Sequence, residues 1–221
     1  MTIDGDFVAL DLKKSWDISS PAITALPQPS GPPPVSDGYL WNSYDSLFLY
    51  GGEFSDNPPT SPVPLSTWEY DIKAAQWIEH AAPQTSAGNF SEGGNNLVQR
   101  AAEGAGISVP ELGRSWYFGG HQDAFTTVGW SIQIFRIYLR SLLEFTHPGY
   151  ANSGVDSLGL QNAAPAGGVY RNITDGGIQG EAQFTERADG VLTYIPGWGE
   201  DGIILGLAGG TNVSFVSSSL S

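Results

Sequence analysis

The histidines and the carboxylates beside them are the residues of this sequence that could bind a metal or a substrate. The chain has three histidines: His80, His121 and His147. None of them stands four residues from another, the spacing that puts two zinc ligands on one face of a helix. Asp123 follows His121, Asp56 follows Glu53, and both pairs come directly after a Gly-Gly dipeptide. Polar side chains at such turns usually satisfy backbone groups, so this interpretation is favoured over a metal or substrate site.

Catalytic motifs are missing from the sequence. The chain contains no cysteine, which excludes thiol catalysis, disulfides and cysteine-based zinc sites. No Gly-x-Ser-x-Gly elbow and no phosphate-binding loop occurs. The glycine-rich pieces Gly104–Gly106 and Gly197–Gly199 do not stand between a predicted strand and a predicted helix, as a phosphate-binding turn requires. The sequence therefore predicts a protein without catalytic residues, cofactor or metal.

The charge balance narrows the choice of partners. The chain has 23 acidic and 9 basic residues, a net charge of -14. A surface of this sign repels phosphate groups, so neither nucleic acid nor an anionic membrane surface is expected as a partner. The longest apolar stretch, Ile203–Ala208, is too short to span a bilayer, and no membrane segment is expected. The candidate N-glycosylation sites are Asn89, Asn172 and Asn212.

Short strands must position these groups. The chain has 29 Gly and 15 Pro, and charged residues make up only 14% of it, a composition typical of strands joined by many turns. The clearest unit lies within residues 32–80. Its predicted strands are Val35–Trp41, Leu47–Tyr50, Leu65–Asp71 and Gln76–Glu79. Four strands in about fifty residues is the size of one β-propeller blade.

A pattern of glycines and aromatic residues recurs along the chain. In the first unit an apolar strand ends at Gly51 and Gly52, and Tyr70 and Trp77 follow, separated by six residues. Paired glycines allow turns that need a positive φ, and aromatic residues on neighbouring strands supply apolar area for packing one sheet on the next. The equivalents predicted further along are Gly119, Gly120, Tyr138 and Phe145, and then Gly209 and Gly210.

This pattern resembles the kelch repeat, in which a buried strand ends in Gly-Gly and a spaced Tyr and Trp follow. Segments Gly51–Asp56 and Pro110–His121 most resemble the fungal kelch-repeat ectodomain proteins. The resemblance implies an all-β fold, an incomplete kelch-type β-propeller of about three to four blades of four-stranded antiparallel sheet, truncated at both ends. The expected spans are 1–20 for the end of one blade, 32–80 and 95–147 for two blades, 148–182 for an inserted loop, 183–212 for the start of a further blade and 213–221 for a tail.

The function that the resemblance implies is a non-catalytic scaffold for protein–protein interaction, with an unknown protein partner, from a fungal cell-surface or secreted protein. Aromatic and polar residues on loops between the second and third strands of a blade are the candidate contacts. They are Glu53, Asp56, His121, Asp123, Phe125 and Trp130. Two alternatives stay open: a fragment of a galactose-oxidase-like propeller enzyme whose catalytic residues lie outside this chain, and a carbohydrate- or cell-wall-binding module.

Overall fold

The structure is a computed structural model that describes residues 5–27, 30–88, 91, 93–150, 163–173, 186–199, 202–207 and 209–210. Within these ranges the fold is all-β, as predicted, with one 3-10 turn at Pro110–Leu112 and no α-helix. The strands are β1 (Val8–Leu10), β2 (Ile23–Ala25), β3 (Ser36–Asn42), β4 (Ser46–Glu53), β5 (Thr67–Asp71), β6 (Gln76–His80), β7 (Ala105–Val109), β8 (Arg114–Phe118), β9 (His121–Gln122), β10 (Ile137–Tyr138), β11 (Leu142–Thr146), β12 (Val169–Ile173), β13 (Val191–Ile195) and β14 (Ile203–Leu207).

Strands β3, β4, β5 and β6 form a four-stranded antiparallel sheet in that order, which we call the first sheet. Strand β4 lies inside it and alternates buried and half-buried side chains, with Phe48 and Tyr50 buried. Tyr70 on β5 lies directly opposite Trp77 on β6, so the two aromatic rings share one face of adjacent strands. All four strands predicted within residues 32–80 are present.

Strands β12, β11, β8 and β7 form a second four-stranded antiparallel sheet in that spatial order. The predicted span 95–147 stops one strand short of it, because the fourth strand, β12, lies inside the stretch 148–182 that was expected to be a loop. The insertion lies between the third and fourth strands of this sheet. It therefore separates two strands that a short turn joins in the first sheet.

The aromatic pair predicted for the second sheet, Tyr138 and Phe145, is wrong for the same reason. Phe145 lies on the third strand, β11, opposite Tyr170 on β12. Tyr138 lies on β10, which pairs with β9 in a separate two-stranded sheet. Phe145 and Tyr170 thus face one another as Tyr70 and Trp77 do in the first sheet. The insertion moved the second aromatic residue beyond the six-residue spacing on which the prediction depended.

Two-stranded sheets stand before the first sheet and after the second. Strand β1 pairs with β2, which lies beyond the span 1–20 expected for the end of one blade. A β-bridge between Asp17 and Ser20 lengthens the connection and moves the partner strand beyond that span. Strand β13 pairs with β14 as predicted, and Gly209–Gly210 follow it.

Aromatic side chains fill the space between the first and second sheets. Trp41 on β3 stacks on Tyr50, with ring centroids 5.0 Å apart, and on Phe145 at 5.2 Å. Its indole N–H donates to the carbonyl oxygen of Trp116 over 3.0 Å, so the buried donor is satisfied. The two sheets therefore pack through one continuous core. The described strands form no closed sheet.

The Gly-Gly pairs of the first and second sheets, Gly51–Gly52 and Gly119–Gly120, each meet the connection that leads into the next sheet. Gly51 has φ +74, and a Cβ there would lie 2.2 Å from the carbonyl oxygen of Ala101. Gly119 has φ +66, and its Cβ would lie 2.4 Å from the carbonyl oxygen of Arg187. In both pairs the second glycine donates its N–H to that same oxygen over 2.8 Å. Only glycine fits this approach, and its recurrence makes the two sheets structural repeats.

Candidate functional site

The Gly-Gly turns place Glu53 and His121 at equivalent positions, one residue past each pair. Glu53 ends β4 and His121 begins β9. The turns of the two packed sheets bring the side chains together, with Glu53 Oε2 3.3 Å from His121 Nε2. Both residues are among the candidates of the sequence analysis, which has no means of placing them in contact.

Two further carboxylates surround His121, whose side chain is fully buried. Asp123 Oδ2 lies 3.3 Å from His121 Nε2, and Glu103 Oε2 lies 3.0 Å from Nδ1. Asp123 was a candidate from the sequence, whereas Glu103, which precedes β7, was not. The imidazole therefore has a carboxylate oxygen within ion-pair distance of each ring nitrogen.

Arg136 completes this arrangement from the loop between β9 and β10. Its guanidinium lies 3.1 Å from Asp123 Oδ2, 3.3 Å from Glu103 Oε2 and 3.7 Å from Glu53 Oε2. It bridges all three carboxylates. Sequence reasoning missed Arg136, although it is one of two basic residues in the stretch 124–143, which has no acidic residue. We call Glu53, Glu103, His121, Asp123 and Arg136 the ionic cluster.

The ionic cluster keeps His121 protonated. Burial by itself favours the neutral ring, but Asp123, Glu103 and Glu53 outweigh burial and raise the pKa of His121 to about 10. Burial also opposes ionisation of Asp123, yet its contacts with His121, the N–H of Phe125 and Arg136 lower its pKa to about 2. At neutral pH His121 is an imidazolium ion held among carboxylates. In this form it cannot accept a proton as a general base.

A metal ion is the alternative occupant of this site. Glu53, His121 and Asp123 each offer one ligand atom, and these atoms lie within 4.8 Å of one another. The residue types suit a transition metal. A metal would require a neutral His121 and would compete with the Arg136 guanidinium for the same two carboxylates. The residues therefore fit an ion-pair network better than a metal centre.

A serine and a histidine also meet in the core. Ser115 Oγ lies 2.7 Å from His147 Nε2, and both side chains are fully buried. Burial lowers the pKa of His147 to about 4, so the ring is neutral at physiological pH. A serine nucleophile must reach its substrate, and this one is enclosed between the two sheets. The pair is a hydrogen bond of the core.

The other candidate residues lie on the loops that follow β4 and β9. Asp56 is exposed and forms a β-bridge with Pro59. Phe125 and Trp130 are half-buried. The carbonyl oxygen of Phe125 accepts a hydrogen bond from the N–H of Phe54 over 2.9 Å. This bond ties the loop after β9 to the end of β4 and so to the first sheet.

Apolar side chains beyond this point are exposed, and the sequence analysis did not select them. They are Val128, Ile132, Ile134, Phe135 and Ile137, and we call residues 128–137 the apolar loop. Phe135 is 91% exposed and Ile132 is 80% exposed. The next strands along the chain are β10, at Ile137–Tyr138, and β11. The preceding residues are turns that present their side chains to solvent.

An apolar groove of about 210 Å³ adjoins the apolar loop at Val128. Its opposite wall includes Val63 and Pro64 from the loop between β4 and β5, and Leu97 contributes from the connection between the sheets. Val63 and Leu97 are themselves exposed at the groove. Loops between second and third strands from both sheets therefore contribute to one surface.

A known protein resembles almost the whole chain. Over 215 residues, 97% of its length, the chain is 61% identical to a kelch repeat-containing protein from Arthroderma benhamiae. The chain is a kelch-repeat homologue. It spans 32% of the length of that relative. No protein-family model matches the chain.

Gly51–Gly52 and Gly119–Gly120 stand at the ends of β4 and β8, the second strands of the first and second sheets. The second repeat carries one long connection between its second and third strands and another between its third and fourth strands. The first of these holds Arg136 and the apolar loop. The repeated Gly-Gly turns thus position Glu53 and His121, the connection before β7 supplies Glu103, and the connection after β9 supplies Arg136.

The candidate glycosylation sites are placed only in part. Asn172 lies on β12 opposite Leu143, whereas Asn89 and Asn212 lie outside the described residues. Among the described residues, no helix has the length and apolarity needed to cross a membrane.

Proposed function

We propose that this kelch-repeat chain is part of a β-propeller that acts as a non-catalytic scaffold and binds a protein through its apolar loop. The way the sheets follow one another supports the architecture. Strand β7 contacts both β3 and β13, so the first strands of three successive sheets lie side by side. Sheets arranged with their first strands around one axis are the blades of a propeller.

The exposed apolar loop is the observation that carries the function. Contiguous apolar surface on a soluble protein marks an interaction site more often than isolated exposed residues do. Phe135 and Ile132 project from a loop whose Arg136 is held by three carboxylates. A loop that is already ordered loses less conformational entropy on binding. The ionic cluster is therefore proposed as the support of the binding surface, not as its contact surface.

Charge suggests the chemistry of the partner. The stretch 124–143 has no acidic residue, in a chain whose net charge is -14, and it contains Arg136 and Arg140. Arg140 is exposed beside the apolar side chains. A partner segment with apolar side chains flanked by carboxylates complements this surface, whereas the acidic remainder of the chain repels it.

Panning a phage-displayed random peptide library on the intact chain tests this proposal. Enriched peptides should combine large apolar residues with Asp or Glu. Their affinity should fall at least about tenfold for Phe135→Ser and for Arg140→Glu. Ile18→Ser is the matched control, because Ile18 is 94% exposed but lies in the connection between β1 and β2. Peptides that bind Phe135→Ser as tightly as the unchanged chain would contradict the proposal.

The proposal includes a fungal cell-surface or secreted location. Its support is the fungal relative and the three glycosylation sequons in the sequence. Peptide mapping of the protein from its native source tests it. Glycan on Asn89 or Asn212 is expected, and unmodified asparagine at both positions counts against entry into the secretory route.

A further inference from the structure

A cavity of about 460 Å³ lies at the boundary of the two four-stranded sheets, and no residue of the ionic cluster or of the apolar loop is among those that line it. Neutral hydrogen-bonding side chains dominate its polar lining: Thr85, Asn96, Gln99, Gln122, Ser141 and Asn172. Its apolar wall includes Leu139, Leu143 and Tyr50. A volume of this size falls within the range of small-molecule sites.

Hydrogen bonds to the backbone fix three of the lining amides. The side-chain NH2 group of Gln99 donates to the carbonyl oxygen of Leu97 over 3.2 Å, and that of Gln122 donates to Arg100 over 3.0 Å. The NH2 group of Asn96 donates to the carbonyl oxygen of Gly93 over 3.0 Å. With one N–H of each NH2 group engaged, each amide keeps its oxygen as an acceptor and its second N–H as a donor. The cavity is therefore rich in neutral hydrogen-bonding groups whose positions are fixed.

The lining selects against charged and against purely apolar ligands. No Asp, Glu, Lys, Arg or His is among the residues that line it. A charged ligand would lose hydration without a counter-charge, and an apolar ligand would leave the amides unpaired. The ligand that fits is neutral, carries several hydroxyl donors and has an apolar face for the leucines. A saccharide has this chemistry.

A peptide is the other neutral ligand with many polar groups, and the sheet edge argues against it. An extended peptide usually binds by adding to an open strand edge. Here the edge strand β12 already has neighbours: Ser86 donates its N–H to the carbonyl oxygen of Tyr170 over 2.8 Å, and Ser91 forms a β-bridge with Ile173. Recognition therefore falls to the side-chain amides. We propose that this cavity binds a neutral saccharide.

Isothermal titration of the full chain with neutral gluco-, manno-, galacto- and N-acetylglucosamine oligosaccharides tests the proposal. Saturable binding to at least one of them is expected. Asn172→Ala and Gln122→Ala should each weaken it at least about tenfold, the effect of losing a hydrogen bond in a desolvated site. Melting curves of both variants identify any loss that arises from unfolding, and Ser141→Ala provides a third variant with a smaller change of shape.

Two variants, each measured with both the saccharide and the panned peptides, distinguish this cavity from the protein-binding surface. Phe135→Ser, which tests the apolar loop, should leave saccharide affinity unchanged, and Asn172→Ala should leave the affinity of the panned peptides unchanged. An oligosaccharide that ends in a uronic acid should bind more weakly than its neutral counterpart. The proposal is overturned if none of the neutral oligosaccharides binds, if binding survives in the Asn172→Ala, Gln122→Ala double variant, or if panned peptides compete with the saccharide for the cavity.

Discussion

Glu103 donates its backbone N–H to the carbonyl oxygen of Asp37 over 3.0 Å, and both residues have a left-handed backbone, with φ 57 and 56. The link repeats once more along the chain, because Asp189, with φ 58, donates to the carbonyl oxygen of Glu103 over 2.8 Å. Each of these acidic residues precedes a glycine at or near the start of the first strand of its sheet. Main-chain hydrogen bonds thus join three successive sheets end to end.

The left-handed backbone at Asp37 sets a prediction for stability. Asp37→Val should lower the free energy of unfolding by about 2 kcal/mol, because a β-branched side chain is strained at positive φ. Asp37→Gly should leave it unchanged or raise it, because glycine adopts this conformation without a steric penalty. Urea unfolding of both variants measures the difference. Equal stability of the two would mean that the backbone of Asp37 is not held in this conformation.

The Gly-Gly contact gives a second prediction with an internal control. Gly51→Ala should cost at least about 3 kcal/mol, because its Cβ would meet the carbonyl oxygen of Ala101 at 2.2 Å as well as adopting a positive φ. Gly129 has φ +77 but nothing within 4 Å of its Cβ position. Gly129→Ala should therefore cost only about 1 kcal/mol, the conformational part alone. Chemical denaturation of both variants tests this, and similar losses would contradict the close approach at Gly51.

The sequence predicts those parts of the fold whose interacting residues lie close together along the chain. The strands of the first sheet and the Gly-Gly ends follow from local pattern, because short turns keep each strand next to its partner. The pairing of Phe145 with Tyr170 does not follow from local pattern, because a long insertion separates the two residues. Six residues separate Tyr138 from Phe145, as they separate Tyr70 from Trp77, but only by chance. The acidic-Gly dipeptides at Asp37 and Glu103 are a further repeat in the sequence, but no prediction was based on them.

The ionic cluster illustrates the same limit for the site. Glu53, His121 and Asp123 are adjacent to recognisable turns, so their types and positions are predictable. Glu103 and Arg136 join them only through the packing of one sheet on another, and no periodicity reports that contact. The buried environment of His121, and hence its raised pKa, follows from this packing and not from its neighbours in sequence.

Arg136 is the residue whose removal should disturb the ionic cluster most directly. Arg136→Gln leaves three carboxylates facing the single positive charge of His121, and we expect a loss of about 2 kcal/mol in the free energy of unfolding. Arg140→Gln is the matched control, because Arg140 is exposed on the short connection between β10 and β11, and its effect should stay within about 0.5 kcal/mol.

Hydrogen exchange gives the Arg136→Gln variant a local readout. Amides of the apolar loop should exchange faster, because Arg136 anchors this segment to both sheets, while those of β4 and β8 should change less. Unchanged exchange in the apolar loop, together with full stability, would show that the loop is held by its backbone bonds alone and would remove the support assigned to the ionic cluster.

The raised pKa of His121 predicts how stability depends on pH. The folded protein raises this pKa from 6.5 to about 10, so the contribution of the imidazolium is fully present below pH 6.5 and is lost as the pH rises towards 10. The free energy of unfolding should therefore fall across this window. His121→Gln removes the titrating group and should flatten the fall. Urea unfolding at a series of pH values, for the unchanged chain and the variant, measures both slopes.

His147 separates this effect from a general weakening in alkali. Burial lowers its pKa from 6.5 to about 4, so its contribution is present above pH 6.5 and is lost as the pH falls towards 4, on the opposite side of neutrality. His147→Gln should change the acid side and leave the alkaline slope intact. The buried tyrosines Tyr50, Tyr117 and Tyr170 have folded-state pKa values raised above 10, so they also lower stability, but only as the pH nears 10, where tyrosines of the unfolded chain ionise. The comparison is therefore made between pH 6.5 and about 9. A slope that persists in full over this range in His121→Gln would mean that the carboxylates do not hold a proton on His121.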